Sequence, residues 1–221
     1  IENLPGATKV RQTLLTDAAA FLDSIEPASQ GDPQFAYELA GTWYRISQLQ
    51  GVDHSVNTGQ HDQAQQSLAK ALALTTRYVD APGMSTQALG VAINMHASQG
   101  EVWQRSGRMA EAEAALLRGL PILQRALAQD AKDSWTLASA VSLHGLHARI
   151  LGNNPAFASL GRWQDACAAA QRASDAALAT LAADPANRYG PDTLAFTLGE
   201  QGQCALTAGR TDDAEDLFLR Q

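Results

Sequence analysis

The chain has 221 residues, 45% of them hydrophobic and 18% charged, which is the composition of a globular protein that can bury a sizeable core. Its formal net charge of −7 argues against nucleic acid as a partner, because an acidic surface repels phosphate backbones. No apolar run approaches the roughly 18 residues that suggest a membrane span, so direct membrane insertion by this segment is not expected. Abundant alanine and few β-branched or aromatic residues favour closely packed helices over a large sheet.

The predicted elements begin with a leading helix at about 4–25, LPGATKVRQTLLTDAAAFLDSI. A helical hairpin follows at about 32–80. Its first helix begins at Asp32-Pro33, a common pair at a helix start. Its second helix begins with the motif GQHDQA at Gly59. The glycine is predicted to adopt a left-handed turn between the two helices.

Three further hairpins repeat this pattern at about 84–130, 133–183 and 187–221. In each, a glycine is followed by a basic residue, two variable residues, Glu or Asp, and alanine: GRMAEA at Gly107, GRWQDA at Gly161 and GRTDDA at Gly209. Apolar or small residues then recur four and three positions further on, which keeps them on one helical face. No hairpin can bury such a face alone, so neighbouring hairpins must stack. The sequence therefore predicts one all-α domain over 1–221, a right-handed α-solenoid of stacked helical hairpins with long units.

The glycine turns, the alanines that follow them and Leu89-Gly90 resemble the tetratricopeptide repeat. The first 80 residues resemble more specifically the C-terminal repeat region of bacterial eukaryote-like serine/threonine protein kinases, through IENLPGATKVRQTLL, YELAGTWYRISQLQG and NTGQHDQAQQSLAKALAL. In that family the region follows a kinase domain and often a transmembrane helix, and the resemblance implies a sensory or docking role. The chain itself has no Gly-rich phosphate loop, no His-Arg-Asp motif and no Asp-Phe-Gly motif, so we assign it no kinase activity.

The expected function is therefore a non-catalytic sensory or protein-docking domain of a bacterial signalling protein, in the first instance a transmembrane serine/threonine kinase. The alternative is a dimerisation scaffold that brings effector domains together as a homodimer. The chain begins with Ile1 rather than Met, and we expect it to be part of a longer protein. The expected location is the periplasmic side of the inner membrane if a transmembrane helix precedes the chain in the parent protein, and the cytoplasm otherwise.

A protein or peptide partner is expected to lie in a concave groove lined by the first helix of each hairpin. Groove candidates are the polar and aromatic residues that leave the apolar stripes of these helices. They are Tyr37, Tyr44, Arg45, Gln48, Asn94, Arg149 and Glu200. Arg45 and Arg149 are expected to bind acidic or carboxylate groups. No catalytic residue, metal ligand or cofactor is predicted.

Two pairs of potentially reactive side chains have simpler interpretations. His144 and His147 share a helical face, but no third metal ligand is identifiable, so a packing or surface role is preferred. Cys167 and Cys204 lie in alanine-rich helices and are interpreted as small buried thiols. A disulfide between neighbouring helices is the open alternative, and the compartment stays undecided at this point.

Overall fold

The structure, a computed structural model, describes residues 7–52, 57–154, 156–186 and 190–220, and over these ranges it contains helices and turns but no strand. The prediction of an all-α protein is confirmed. The helices are α1 Ala7–Ile25, α2 Pro33–Ser47, α3 His61–Thr75, α4 Thr86–Arg105, α5 Met109–Gln129, α6 Ser134–Leu151, α7 Trp163–Ala183, α8 Gly190–Thr207 and α9 Thr211–Leu219. A 3₁₀ turn at Glu26–Ser29 follows α1, and a π-helical turn at Gln48–Val52 extends α2. Parts of the predicted leading helix (4–6) and of the fourth hairpin (187–189) lie outside the described residues.

Aspartates cap two of the helix starts, the predicted one at Asp32 and the one at Asp133. The Asp32 carboxylate accepts a hydrogen bond of 3.0 Å from the Phe35 amide at the start of α2. The Asp133 carboxylate accepts one of 2.8 Å from the Thr136 amide at the start of α6. Each carboxylate satisfies a backbone donor that has no partner within its own helix, which is why both helices begin there.

The chain forms two compact units, Ile1–Met84 and Ser85–Gln221. In the first unit α2 packs against α3 around the buried Trp43. Helix α1 lies on α2 and buries Leu22, while Gln12 Nε2 donates to the Thr58 carbonyl oxygen and Asp23 pairs with Lys70 of α3. Elsewhere on α1, Val10, Leu14 and Phe21 are exposed. The assignment of 1–221 to a single domain stays a prediction.

In the second unit α4 packs against α5 and α6, and α6 packs in addition against α5 and α7. Helix α8 packs against α7 and α9. The largest side chains that are fully buried in this unit are Leu89, Ile93, Met95, Leu116, Leu143, Ile150 and Leu151. A cluster of mostly small residues joins α6, α7 and α8; it consists of Ala148, Leu151, Ala166, Ala169, Ala170 and Cys204.

The four motif copies have one geometry. Their glycines have φ between 70° and 74°, in the left-handed region, as predicted. The next residue caps the following helix, and its carbonyl accepts a hydrogen bond of 2.9 to 3.1 Å from the amide of the motif alanine. All four alanines are buried: Ala64, Ala112, Ala166 and Ala214. In the three copies that have arginine, its guanidinium pairs with the acidic residue three positions on, which ties the turn to the first helical turn.

We expect Gly161→Ala to lower the free energy of unfolding by about 1–2 kcal/mol, because an L-residue is strained at this backbone conformation. A Cβ at Gly161 would meet no atom within 4 Å, so the effect isolates backbone strain. Gly145→Ala is the matched control. Gly145 lies within α6 with open space around it, and alanine there should stabilise the protein by about 0.5–1 kcal/mol. Urea unfolding of both variants measures the difference, and a Gly161→Ala midpoint equal to that of the unaltered protein would contradict the turn assignment.

Candidate functional site

The connection between α6 and α7 is a well-bonded loop that fixes the end of α6. Gly152 turns the chain with φ 128°, and the amides of Gly152 and Asn153 both donate to the Ala148 carbonyl, at 3.0 and 3.1 Å. Further along, the Leu160 amide donates to the Ile150 carbonyl at 2.9 Å. The Arg162 amide donates to the Leu151 carbonyl at 2.7 Å, immediately before α7 begins. These bonds hold the buried Asn153 in a defined position.

Three polar side chains and one aromatic ring meet at this end of α6. Asn153 Nδ2 donates to the Glu200 carboxylate of α8. Arg149, four residues before Asn153, interacts electrostatically with Glu200. The Arg149 guanidinium lies 5.2 Å from the centre of the Phe157 ring, within cation–π range. We call Arg149, Asn153, Phe157 and Glu200 the Arg149–Glu200 cluster.

Several polar atoms in and beside this cluster are buried without a hydrogen-bond partner in the described part of the chain. They are Arg149 Nε, Asn153 Oδ1 and, next to Glu200, Gln201 Nε2. Burial raises the pKa of the Glu200 carboxyl, and Arg149 opposes that rise. An unsatisfied buried donor or acceptor costs about 1–3 kcal/mol. Unpartnered buried polar atoms also lie away from the cluster, among them Trp43 Nε1 and Tyr78 Oη. The cluster differs from these positions in that it combines donors and an acceptor beside the exposed Phe157 ring.

A disulfide between Cys167 of α7 and Cys204 of α8 lies beside the cluster, with the two Cα atoms 5.5 Å apart. Cys204 follows Glu200 by one turn of α8 and is buried among the alanines of α6 and α7. The interpretation of these cysteines as separate small thiols was wrong, and the open alternative of a disulfide between neighbouring helices is correct. Spacing along the chain gives no sign of this pairing, because it depends on how α8 packs on α7.

The other predicted groove residues are distributed over both units. Tyr37 packs edge-on against the buried Tyr78, with ring centres 5.6 Å apart. Tyr44 and Gln48 are half-buried and Arg45 is exposed, all three in the first unit. Asn94 is half-buried on α4 in the second unit. The structure brings Arg149 and Glu200 together, and a common groove for all seven residues stays a prediction.

Sequence reasoning missed Asn153 and Phe157, which lie in the inserted segment GNNPAFASL. No sequence signal predicts their position, because Gly152 ends α6 with φ 128° and Asn153 lies beyond the helical geometry. A spacing of four residues from Arg149 therefore does not by itself place Asn153 on the same helical face.

The histidines of the second unit are packed between helices. On α5, Glu113 Oε1 lies 2.7 Å from Arg162 Nη1, just before α7. It lies 3.6 Å from His147 Nε2, beyond hydrogen-bond range. Burial lowers the pKa of His147 and lowers that of His144 to about 4, with Arg172 adding to both shifts. Burial, together with Arg118, lowers the pKa of His96 on α4 to about 4 as well. Nowhere in the described ranges do three His, Cys, Asp or Glu side chains converge as a metal site would require.

No protein-family model matches the chain, and no curated protein matches it. Among solved structures it is similar to the crystal structure of BtubC (BKLC) from P. vanneervenii. The identity is 14%, the alignment covers 95% of this chain and 88% of that chain, and the TM-score is 0.44. A TM-score this low gives no indication of function. Among the described helices, none is both long enough and apolar enough to cross a membrane.

Because burial lowers the pKa of its histidines, we expect the free energy of unfolding to decrease in acid. The His96 imidazole stays neutral in the folded state down to about pH 4, whereas in the unfolded chain it binds a proton below about pH 6.5. Stability is therefore fully present above pH 6.5 and falls as the pH is lowered from 6.5 towards 4. We expect the loss between pH 7 and 4.5 to be about 2 kcal/mol smaller in His96→Gln than in the unaltered protein.

Urea unfolding at both pH values measures this difference within each protein, so any constant effect of the substitution on packing cancels. His144→Gln provides an independent second case, since His144 has the same direction of shift and the same main cause. An equal loss in all three proteins would show that these imidazoles titrate alike in the folded and unfolded states.

Proposed function

We propose that this chain is a non-catalytic sensory or protein-docking domain of a bacterial signalling protein, and that it binds a partner protein or peptide at the Arg149–Glu200 cluster. The observation that carries the proposal is the set of buried, unpartnered donors and acceptor around Arg149 and Asn153. The cluster contains no hydroxyl or thiol nucleophile. Its chemistry is that of recognition, through hydrogen bonds, charge and an aromatic surface.

Each member of the cluster has a distinct part in this proposal. The Arg149 guanidinium binds a carboxylate of the partner, either an acidic side chain or a chain end. Asn153 Oδ1 accepts a hydrogen bond from a backbone amide of the partner. Phe157, which is 46% exposed, supplies apolar contact area next to the bound group. Glu200 holds Asn153 in place and disfavours a second acidic group on its own side.

We further propose that the hairpins stack as a right-handed α-solenoid. Support comes from the second unit, where α4–α5 and α6–α7 are consecutive hairpins and α6 packs against both helices of the preceding one. The common geometry of the four glycine turns supports the same arrangement. Placement in a transmembrane serine/threonine kinase rests on the resemblance of the first 80 residues to the repeat region of those kinases.

The disulfide supports a location on the periplasmic side of the inner membrane. Disulfides form and persist in oxidising compartments, whereas the cytosol of most bacteria keeps thiols reduced. Cys167 and Cys204 are joined in the structure, and no free cysteine accompanies them. A periplasmic sensory region would bind its partner outside the cytoplasm and pass the signal to effector domains elsewhere in the parent protein.

Selection from a phage-displayed library of random peptides, carried out on the immobilised oxidised chain, tests the proposal. We expect enrichment of peptides that have an acidic residue or end in a free carboxylate. Arg149→Glu should weaken their binding at least about 10- to 100-fold, the cost of losing one or two charge-assisted hydrogen bonds. Fluorescence anisotropy of the labelled peptides measures the affinities.

Lys132→Glu is the matched control, because it makes the same change in charge on an exposed residue in the turn that precedes α6, away from the cluster. It should leave the affinities unchanged apart from a small salt-dependent effect. Failure to enrich any peptide, or equal binding to the Arg149→Glu and Lys132→Glu proteins, would rule out the cluster as the docking site.

A further inference from the structure

The position of Glu200 depends on how α8 is attached to α7. Glu200 and Cys204 are four residues apart and therefore lie on the same side of α8. Cys204 is bonded to Cys167 of α7, and Glu200 accepts a hydrogen bond from Asn153 in the loop that precedes α7. One face of α8 thus carries both the disulfide at Cys204 and Glu200, the α8 residue of the Arg149–Glu200 cluster.

The hairpin of α8 and α9 has few other large buried contacts. Its buried apolar side chains in the described residues are Leu198, Cys204, Ala205 and Ala214. Four of its larger apolar side chains are substantially exposed: Phe196, Leu206, Phe218 and Leu219. Because alanine and cysteine bury little apolar area, this hairpin gains less from packing than α6, which buries Leu137, Leu143, Leu146, Ile150 and Leu151. Its attachment must rely more heavily on the disulfide.

We propose that the Cys167–Cys204 disulfide is a redox-sensitive link that holds α8 in place and so controls whether the Arg149–Glu200 cluster is assembled. Oxidised, the link fixes Glu200 against Asn153 and Arg149. Reduced, it releases α8 and α9 from α7, and the cluster separates. The consequence for partner binding rests on the proposed function, whereas the release of α8 does not.

The burial of the two cysteines determines which sulfur reacts first. Cys167 is half-buried, while Cys204 is only 4% exposed. A thiolate of an external dithiol reductant therefore attacks Cys167 Sγ and forms a mixed disulfide with it. The bond to Cys204 breaks, and the Cys204 thiolate takes a proton, because its apolar surroundings disfavour the charge. The second thiol of the reductant then displaces Cys167 as a thiolate, which is protonated in turn, and leaves the reductant oxidised as a cyclic disulfide.

Hydrogen exchange with and without dithiothreitol tests the link without any partner. We expect amide exchange in α8 and α9 to become at least about tenfold faster on reduction, because local opening no longer has to strain a covalent bond. Amides of α4 and α5 should keep their protection. Unchanged exchange in α8, or a loss of protection throughout the second unit, would overturn the proposal.

The Glu200 carboxyl provides a second readout at the cluster itself. Burial raises its pKa in the oxidised structure, so release of α8 should lower that pKa towards the value of an exposed glutamate. NMR titration of carbon-13-labelled glutamate carboxyls in both redox states measures the change. An identical Glu200 pKa in the two states would show that the cluster does not depend on the link.

The double variant Cys167→Ser/Cys204→Ser is the control, and should resemble the reduced protein and not respond to dithiothreitol. Cys167→Ala/Cys204→Ala repeats the test with a smaller apolar residue in the buried cluster, and protection of α4 and α5 establishes that each variant is folded.

Peptides selected on the oxidised chain should bind the reduced chain about tenfold more weakly. Selected peptides that bind both states equally would overturn the redox inference and leave the proposed function standing. A library that yields no peptides would overturn the proposed function, while exchange and titration still decide the link.

Discussion

The contact at a buried alanine just after each glycine turn is the constraint on which the fold depends. The left-handed glycine reverses the chain, and the residue after it caps the second helix by accepting a hydrogen bond from the alanine amide. The alanine then lies where the two helices meet, and its small side chain permits close approach. Such contacts define geometry well but bury little apolar area each. Stability has to come from larger residues further along the helices and from the packing of one hairpin on the next.

Helix α6 shows how the second unit meets this demand. It packs against α4, α5 and α7, and its buried leucines and isoleucine fill the spaces that the small residues leave. Glu113 of α5 adds an ion pair with Arg162, immediately before α7. At the other end of the unit α8 has fewer large buried side chains, and a disulfide takes over part of the attachment. The candidate site lies at this end of the unit, where α8, which the disulfide joins to α7, carries Glu200 of the cluster.

The regular part of the structure could be predicted because it is local. The spacing of glycine, alanine and later apolar residues predicts the hairpins, and Asp32 and Asp133 mark helix starts through their own short-range hydrogen bonds. Arg149 and Glu200 were predicted because they leave the apolar stripe of their helices. Asn153 was missed because its role depends on the path of an irregular loop, and the disulfide because it depends on the packing of α8 against α7. Both are long-range consequences of tertiary structure, which periodicity cannot reveal.

In the proposed function, the electrostatics of the cluster couple docking to the binding of a proton. Burial disfavours the charged form of Glu200 and raises its pKa, whereas the positive charge of Arg149 stabilises the carboxylate. A partner carboxylate that pairs with Arg149 would compete for the same positive charge and place a second negative charge near Glu200. Protonation of Glu200 would then relieve the repulsion and allow its hydroxyl to donate a hydrogen bond. In the proposed function an acidic group would therefore bind together with a proton, and docking would strengthen as the pH of the surrounding compartment falls, until the partner carboxylate itself is protonated.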